Sequence, residues 1–198
     1  MATNRQRREA TRQRIVAAAR EHFANSGYDE THTDSILATA GVSRGAMYHH
    51  FTSKQDVFEA VFIAVVEETI TLAGTSVLRA SSPIEDLIQG CLAWLHAARQ
   101  PGVATILLDQ GPQVLGWKRA RDIEAKRSLA PMKRALHKAI DAGEISVASV
   151  ELTALLLNAL LAEVALVSVY QKRKVTLASQ EATIRQFIAG LRQPIHGA

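Results

Sequence analysis

Arg44, Tyr48, His49 and Lys54 crowd into one short stretch of the chain, interleaved with Ser43, Gly45 and Ala46. These side-chain types in this order suit contact with nucleic acid. An arginine can fork onto the acceptors of a guanine edge, a tyrosine can give its hydroxyl to a phosphate, and a histidine can donate to either. Gly45 has no side chain to hold the backbone away from a partner. Lys54 falls where a cation and a helix N-terminus can hold a phosphate together. An exposed aromatic between histidine and arginine is out of place on a helix that meets only water. Other chemistries find less support. His49 and His50 are neighbours, so they point apart on a helix, and no cysteine or carboxylate cluster joins them to make a metal site. No nucleophile–base–acid grouping and no glycine-rich phosphate loop is present, so neither an enzyme nor a cofactor is expected.

The elements that must position these residues can be read around them. Ile36, Leu37 and Ala40 share one helical face. Gly41 follows at once and can take the left-handed conformation that ends a helix. Val42 can pack back between two helices. Ser43 is a good N-cap for the next helix, and Thr33 is expected to cap the helix before it. Ala46, Met47 and His50 fall near the inward side of the second helix, with Arg44, Tyr48 and His49 outward. Ser53 is expected to cap a third helix, with Asp56 completing a variant capping box. Upstream, Ile15, Ala18, Ala19 and Phe23 form an apolar stripe on a helix that Gly27 should end. Two helices about a glycine turn, the second one exposed and polar, make a helix-turn-helix pattern.

From Thr11 to about Phe62 the chain closely resembles the N-terminal domain of the tetracycline-repressor (TetR) family of transcriptional regulators. The resemblance rests on Ile15, Ala18-Ala19, Phe23, Gly27-Tyr28 and Thr31, then Ile36, Ala40-Gly41-Val42-Ser43, Gly45, Tyr48, His50-Phe51 and Lys54. Leu37 stands where a small residue is usual, and Thr33 where an apolar one is. The resemblance implies that the helix Arg44–Phe51 enters the major groove, with Arg44, Gly45 and Ala46 at its base-facing start. It implies phosphate contacts from Tyr48, His49 and Lys54, and a backbone contact near Thr33. The DNA-binding set is therefore Thr33, Ser43, Arg44, Gly45, Ala46, Tyr48, His49 and Lys54.

The chain has 198 residues and a formal charge of +4, enough for a small head and a larger body. Charge placement says more than its sum. Arg5, Arg7, Arg8, Arg12, Arg14 and Arg20 face only Glu9 before Glu21. Such an arm can track phosphates, or its first residues can be a frayed, solvated tail. Cys91 is the single cysteine, in an apolar context that marks it as a small buried hydrophobe. The charged N-terminus lacks the apolar core of a secretory signal, and a cytoplasmic location is expected.

The body reads as helices throughout. Val57, Phe58, Val61, Phe62, Val65 and Val66 stripe a long helix from Ser53 to about Ala73, and Gly74–Ser82 is small and polar. Pro83–Arg99 is helical, Pro101-Gly102 breaks it, and Gly111-Pro112 is expected to stop the short run Val103–Leu108. Gly116–Ala142 is a long helix with Ile123, Leu129, Met132, Leu136 and Ile140 inward. Lys118, Arg119, Arg121, Lys126 and Arg127 form a solvated face. Leu152–Val169 is apolar on nearly every side, as in a buried or membrane-spanning helix. Asn158 and Glu163 interrupt it, so burial between subunits is the better reading and no membrane is expected. The last helix, Leu177–Leu191, sets Ile184, Phe187, Ile188 and Leu191 on one side.

The fold class expected is all-α, about nine helices: an N-terminal three-helix DNA-binding domain over 1–53 and a helical ligand-binding and dimerisation domain over 54–198. The family resemblance implies a homodimer through the last two helices, a near-palindromic double-stranded operator and a small-molecule effector in the body. Candidate lining residues are Trp94, His96, Asp109, Trp117, Met132, Asn158 and Glu163, a mixture that suits an amphipathic ligand. A cationic ligand would be favoured if Asp109 or Glu163 faced the cavity. A repressor released by its effector is the leading reading. A ligand-responsive activator, or a helical adaptor without a DNA role, is the alternative.

Overall fold

Local chemistry decides most helix boundaries in this computed structural model, which describes residues 3–75, 82–170 and 176–192. Thr3 caps the first helix: its Oγ1 accepts the Gln6 amide at 3.2 Å, and the Gln6 side chain takes the Thr3 amide at 2.7 Å. The basic arm is therefore helical from Asn4 rather than a frayed tail. This helix, α1 (Asn4–Glu30), carries an interruption at Gly27, whose φ of 82° lies outside the range other residues adopt freely. α2 (Thr33–Ala40), α3 (Arg44–Tyr48) and α4 (Lys54–Thr75) follow. α5 (Pro83–Ala98) starts from Ser82, with Pro83 in its first turn. Most of the small polar stretch Gly74–Ser82 lies outside the described residues.

Helix α6, residues 101–115, differs from expectation. Gly111-Pro112 does not end it. A π-helical turn over Thr105–Gln110 directly precedes Gly111–Leu115, with Gly111 N–H bonded to the Ile106 carbonyl. Pro112 lacks an amide hydrogen but sits in the first turn of the new segment, where none is needed. The stop comes at Gly116, with φ 78°. α7 (Trp117–Asp141), α8 (Val150–Tyr170) and α9 (Leu177–Ala189) complete nine helices among the described residues. Among those residues there is no sheet, only an isolated bridge between Ile145 and Arg192.

The chain forms two compact units, Met1–Val66 with Pro101–Arg121, and Glu67–Gln100 with Asp122–Ala198. That division differs from a boundary at 53/54. It falls inside α4, and it gives α6 to the first unit. There, Gln110 Nε2 donates to the Phe23 carbonyl of α1 at 2.9 Å, and Gln55 Nε2 to the Val114 carbonyl at 2.7 Å. The core of the first unit holds Ile15, Phe23, Ile36, Met47, Phe58 and Phe62, all fully buried. Gly111 packs closely against the Phe62 ring. A β-carbon there would run into the Phe62 ring and lie 3.1 Å from the Ile106 carbonyl oxygen. Because Phe62 is fully buried and its ring must shift to admit the methyl group, Gly111→Ala is expected to destabilise the protein by about 1–3 kcal/mol. A urea-unfolding midpoint unchanged from the parent would contradict this packing.

In the second unit, Ile84, Ile88, Leu95, Leu136, Ile145, Ile184 and Ile188 are buried. Leu129, Met132 and Ile140 are only half-buried. α9 is held to α5 by Arg185, 2.7 Å from Glu85, and by Glu181, 2.6 Å from His96. The Arg185 guanidinium holds the Glu85 carboxyl below its usual range. Two arginines assigned to a solvated face are paired instead: Arg119 with Glu59 in the first unit, and Arg127 with Glu67, at 2.8 Å, in the second.

The last two helices depart from their patterns in an informative way. In α8, Ala154, Leu157, Leu161 and Ala165 are buried, whereas Leu152, Leu155 and Leu156 are exposed. In α9, Ile184 and Ile188 are buried but Phe187 is 60% exposed. Phe187 therefore does not share the inward side with them. The segment Val150–Val167 is long and apolar enough to cross a membrane.

Candidate nucleic-acid interface

The turn before α3 is built as its sequence dictates. Gly41 adopts φ 62°, ψ 42°, and its amide reaches the Ala38 and Leu37 carbonyls. The Val42 amide adds a bond to the Leu37 carbonyl at 3.2 Å. These bonds satisfy carbonyls that α2 would otherwise leave open. The Ser43 hydroxyl then accepts the Ala46 amide at 3.2 Å, which starts α3. One cap differs. His32, not Thr33, occupies the N-cap of α2 and makes no side-chain cap bond; Thr33 is the first residue inside the helix.

The faces of α3 separate cleanly. Met47 and the following Phe51 are fully or nearly fully buried, Ala46 and His50 are half-buried, and Arg44, Gly45, Tyr48 and His49 are exposed. Tyr48 keeps 52% of its surface open to solvent. The Arg44 guanidinium lies 2.5 Å from Asp34, a contact that raises its already high pKa. Both groups are largely exposed, so the pair contributes little to stability. It does hold the guanidinium at the surface, next to the turn. His50 behaves differently from His49. Partial burial, then the nearby Arg8 and Arg12, push its pKa down.

Residues of α1 join this surface. Arg7, Arg8 and Thr11 line one concavity together with Ala46, His49 and His50 of the turn region. Arg8 Nη2 lies 3.5 Å from the His49 carbonyl oxygen. Arg12 stacks its guanidinium 5.4 Å from the centre of the Phe51 ring. The arginine-rich N-terminus was visible as composition. Its meeting with α3 was not, because it depends on how α1 crosses the turn. Arg7 and Arg8 therefore share one surface with Ala46, His49 and His50.

Lys54 is placed elsewhere. Its ammonium donates to the Tyr28 carbonyl at 2.8 Å and the Thr31 carbonyl at 3.1 Å, and it sits 4.2 Å from the Tyr28 ring centre. It closes the end of α1 rather than extending toward the α3 surface. The N-terminus of α4 is secured by neighbours. The Ser53 hydroxyl accepts the Asp56 amide at 3.0 Å. The Asp56 carboxylate takes the Thr52 amide at 2.9 Å and the Thr52 hydroxyl. Ser53 therefore caps α4 as expected, and the bonds that Asp56 accepts extend one residue further back, to Thr52. These bonds hold the Asp56 carboxyl below its ordinary range.

Residues 15–61 match the model of the tetR family of bacterial regulatory proteins, and residues 84–191 match that of the tetracyclin repressor-like C-terminal domain. The chain belongs to the TetR family. This TetR-family chain is 33% identical over 140 residues to the HTH-type transcriptional regulator SrpR of Pseudomonas putida, covering 70% of its own length and 65% of that protein. It is 34% identical over 115 residues to the regulator TtgW of P. putida, covering 58% of its own length and 85% of TtgW. A TetR-family regulator from Pectobacterium atrosepticum superposes with a TM-score of 0.83 at 28% identity, over 96% of this chain and 98% of that one. The protein is thus a DNA-binding transcriptional regulator with its helix-turn-helix in the N-terminal region.

The second unit of this TetR-family regulator contains a cavity of about 320 Å³ lined by α4, α5, α7 and α8. Of the seven candidate lining residues, Trp94, Met132 and Asn158 line it; the other four do not. His96 is paired with Glu181 at the surface. Asp109 lies in the first unit and accepts a bond from Gln113 at 2.7 Å. Trp117, also in the first unit, is 64% exposed and stacks with Arg121. Glu163 is on an exposed position of α8. Arg134 and Lys138 line the cavity instead, and the sequence had not singled them out.

Proposed function

We propose that this regulator is a homodimeric repressor acting in the cytoplasm, reading a near-palindromic operator and released by a small molecule held in its second unit. The functional division follows the sequence: 1–53 reads DNA, and 54–198 binds effector and pairs subunits. The observation that carries the reading is the outward face of α3, where Arg44, Gly45, Tyr48 and His49 stand exposed beside Arg7 and Arg8. In this reading Arg44, Gly45 and Ala46 meet base edges. Tyr48, His49, Arg7 and Arg8 hold phosphates. Ser43 and Thr33 bring helix N-termini to the backbone. Lys54 acts one step back, by fixing the end of α1 against which the reader is set. Arg44 must exchange Asp34 for a base when DNA binds.

Two short reader helices joined by a twofold axis would address half-sites about 34–36 Å apart. Exposed Leu152, Leu155, Leu156 and Phe187 supply apolar surface for pairing through α8 and α9. The test is fluorescence anisotropy with a duplex from the promoter beside the protein's own gene. Arg44→Ala is expected to weaken binding by about 1–3 kcal/mol and to relax preference at one base position. Arg8→Gln should weaken all sequences alike and lower the salt slope by about one. Equal loss of base preference in both variants would contradict the assignment. The effector is expected to weaken operator binding by a coupling of about 1–3 kcal/mol.

A further inference from the structure

Resting on the reading that the second-unit cavity takes the effector, we infer that its ligand is an amphipathic organic anion: a carboxylate at Arg134 and Lys138, with an apolar body within. Leu87 and Cys91 of α5, with Trp94, Met132 and Leu161, make the wall predominantly apolar. Cys91 adds no charge, because burial pushes its thiol up to about 12. The charged groups on the cavity wall are Asp86, Arg134 and Lys138, two bases against one acid. Arg134 and Lys138 are four residues apart on α7, so their side chains lie on one face, a turn from each other. Both are exposed and stand at the rim. Neither forms an ion pair with any described residue.

A guanidinium and an ammonium spaced this way match a carboxylate, the first through its planar fork and the second as a point charge. A cationic ligand would meet like charges at the same rim. Asp109 and Glu163, which would have favoured a cation, are not on the wall. Asn158 and Ser128 offer neutral polar groups for any further oxygen of the ligand. The volume is near the lower end of ligand-pocket sizes, about 300–1,000 Å³, so the apolar body is compact.

Three probes with one tail and different heads test this: octanoate, octan-1-ol and octylammonium. Binding to the full-length protein is followed by Trp94 fluorescence in a Trp117→Phe background, since Trp117 lies outside the cavity. Octanoate is expected to saturate the signal at least about tenfold more tightly than the alcohol, the gain of a charge-assisted hydrogen bond. Octylammonium should bind more weakly than either. Replacing both Arg134 and Lys138 by glutamine should bring octanoate down to the level of the alcohol while leaving the alcohol unchanged. Both positions are exposed, and an unchanged far-UV circular dichroism melt checks the fold. Alcohol or ammonium binding as tightly as octanoate, or octanoate unaffected by the double substitution, overturns the anion assignment and leaves the cavity as a ligand site. Failure of all three probes to give saturable binding overturns both.

Discussion

Phe58→Ala is expected to lower the stability of the protein by about 3–5 kcal/mol, among the largest effects available to a single substitution in the reader unit. Phe58 has no exposed surface. Its ring packs edge-on to Phe23, with centroids 5.2 Å apart, and edge-on to Tyr28 at 5.4 Å, and it also meets Phe62 at 6.5 Å. Removing the ring loses the transfer free energy, the edge-to-face contacts and the filling of a space that four aromatic residues share. The damage would reach the DNA surface indirectly. Tyr28 presents both the carbonyl and the ring that hold Lys54, and Phe62 is the platform for Gly111. Tyr48→Ala is the control: the same class of residue, but exposed, so its effect on stability should stay within about 0.5 kcal/mol. Urea unfolding distinguishes the two outcomes. Similar losses for both variants would mean that the aromatic cluster is not the core of the unit.

The reader turn was legible because its determinants are local. Gly41 and Ser43 each act through backbone groups three or four residues away, and those distances are set by helix geometry alone. Lys54 was not legible. Its carbonyl partners lie 26 and 23 residues earlier, and a lysine at a helix start suits a phosphate as well as it suits the open end of another helix. Thr33 was displaced from the cap by one position because a threonine is competent at either place, and nothing in the composition chooses. At Pro112, punctuation by Gly-Pro was overruled: a π turn supplied the extra residue that lets the helix continue past a missing amide donor.

The cavity was the least legible feature. Trp94, Met132 and Asn158 were singled out by type, and they line it. His96, Asp109, Trp117 and Glu163 were singled out by the same criterion, and tertiary packing sends them elsewhere. Arg134 and Lys138 went unnoticed because basic residues on a charged helix read as a solvated face. The available signal was their spacing beside Pro131, Met132 and Ala135, small or apolar residues that share the cavity wall.

Leu156→Glu is expected to separate the proposed dimer. Leu156 is 62% exposed in the single chain, and Leu152 and Leu155 beside it are exposed too. Nothing inside the chain requires a leucine at that position, so the substitution leaves the fold of one subunit intact. In a twofold interface the same residue is lost from both sides. Burial of a leucine contributes about 1.5–3 kcal/mol, so the pair loses about 3–6 kcal/mol before the cost of placing a carboxylate in an apolar contact. That corresponds to a dimer dissociation constant raised by roughly two to four orders of magnitude. Sedimentation velocity should then report a monomer with an unchanged helical spectrum. Operator affinity should fall with it, because two half-sites no longer share one effective concentration, while contact with a single half-site persists. A variant that sediments as the parent does would place the pairing surface away from α8. Phe187→Glu in α9, also exposed in the single chain, would then decide whether the last helix pairs without it.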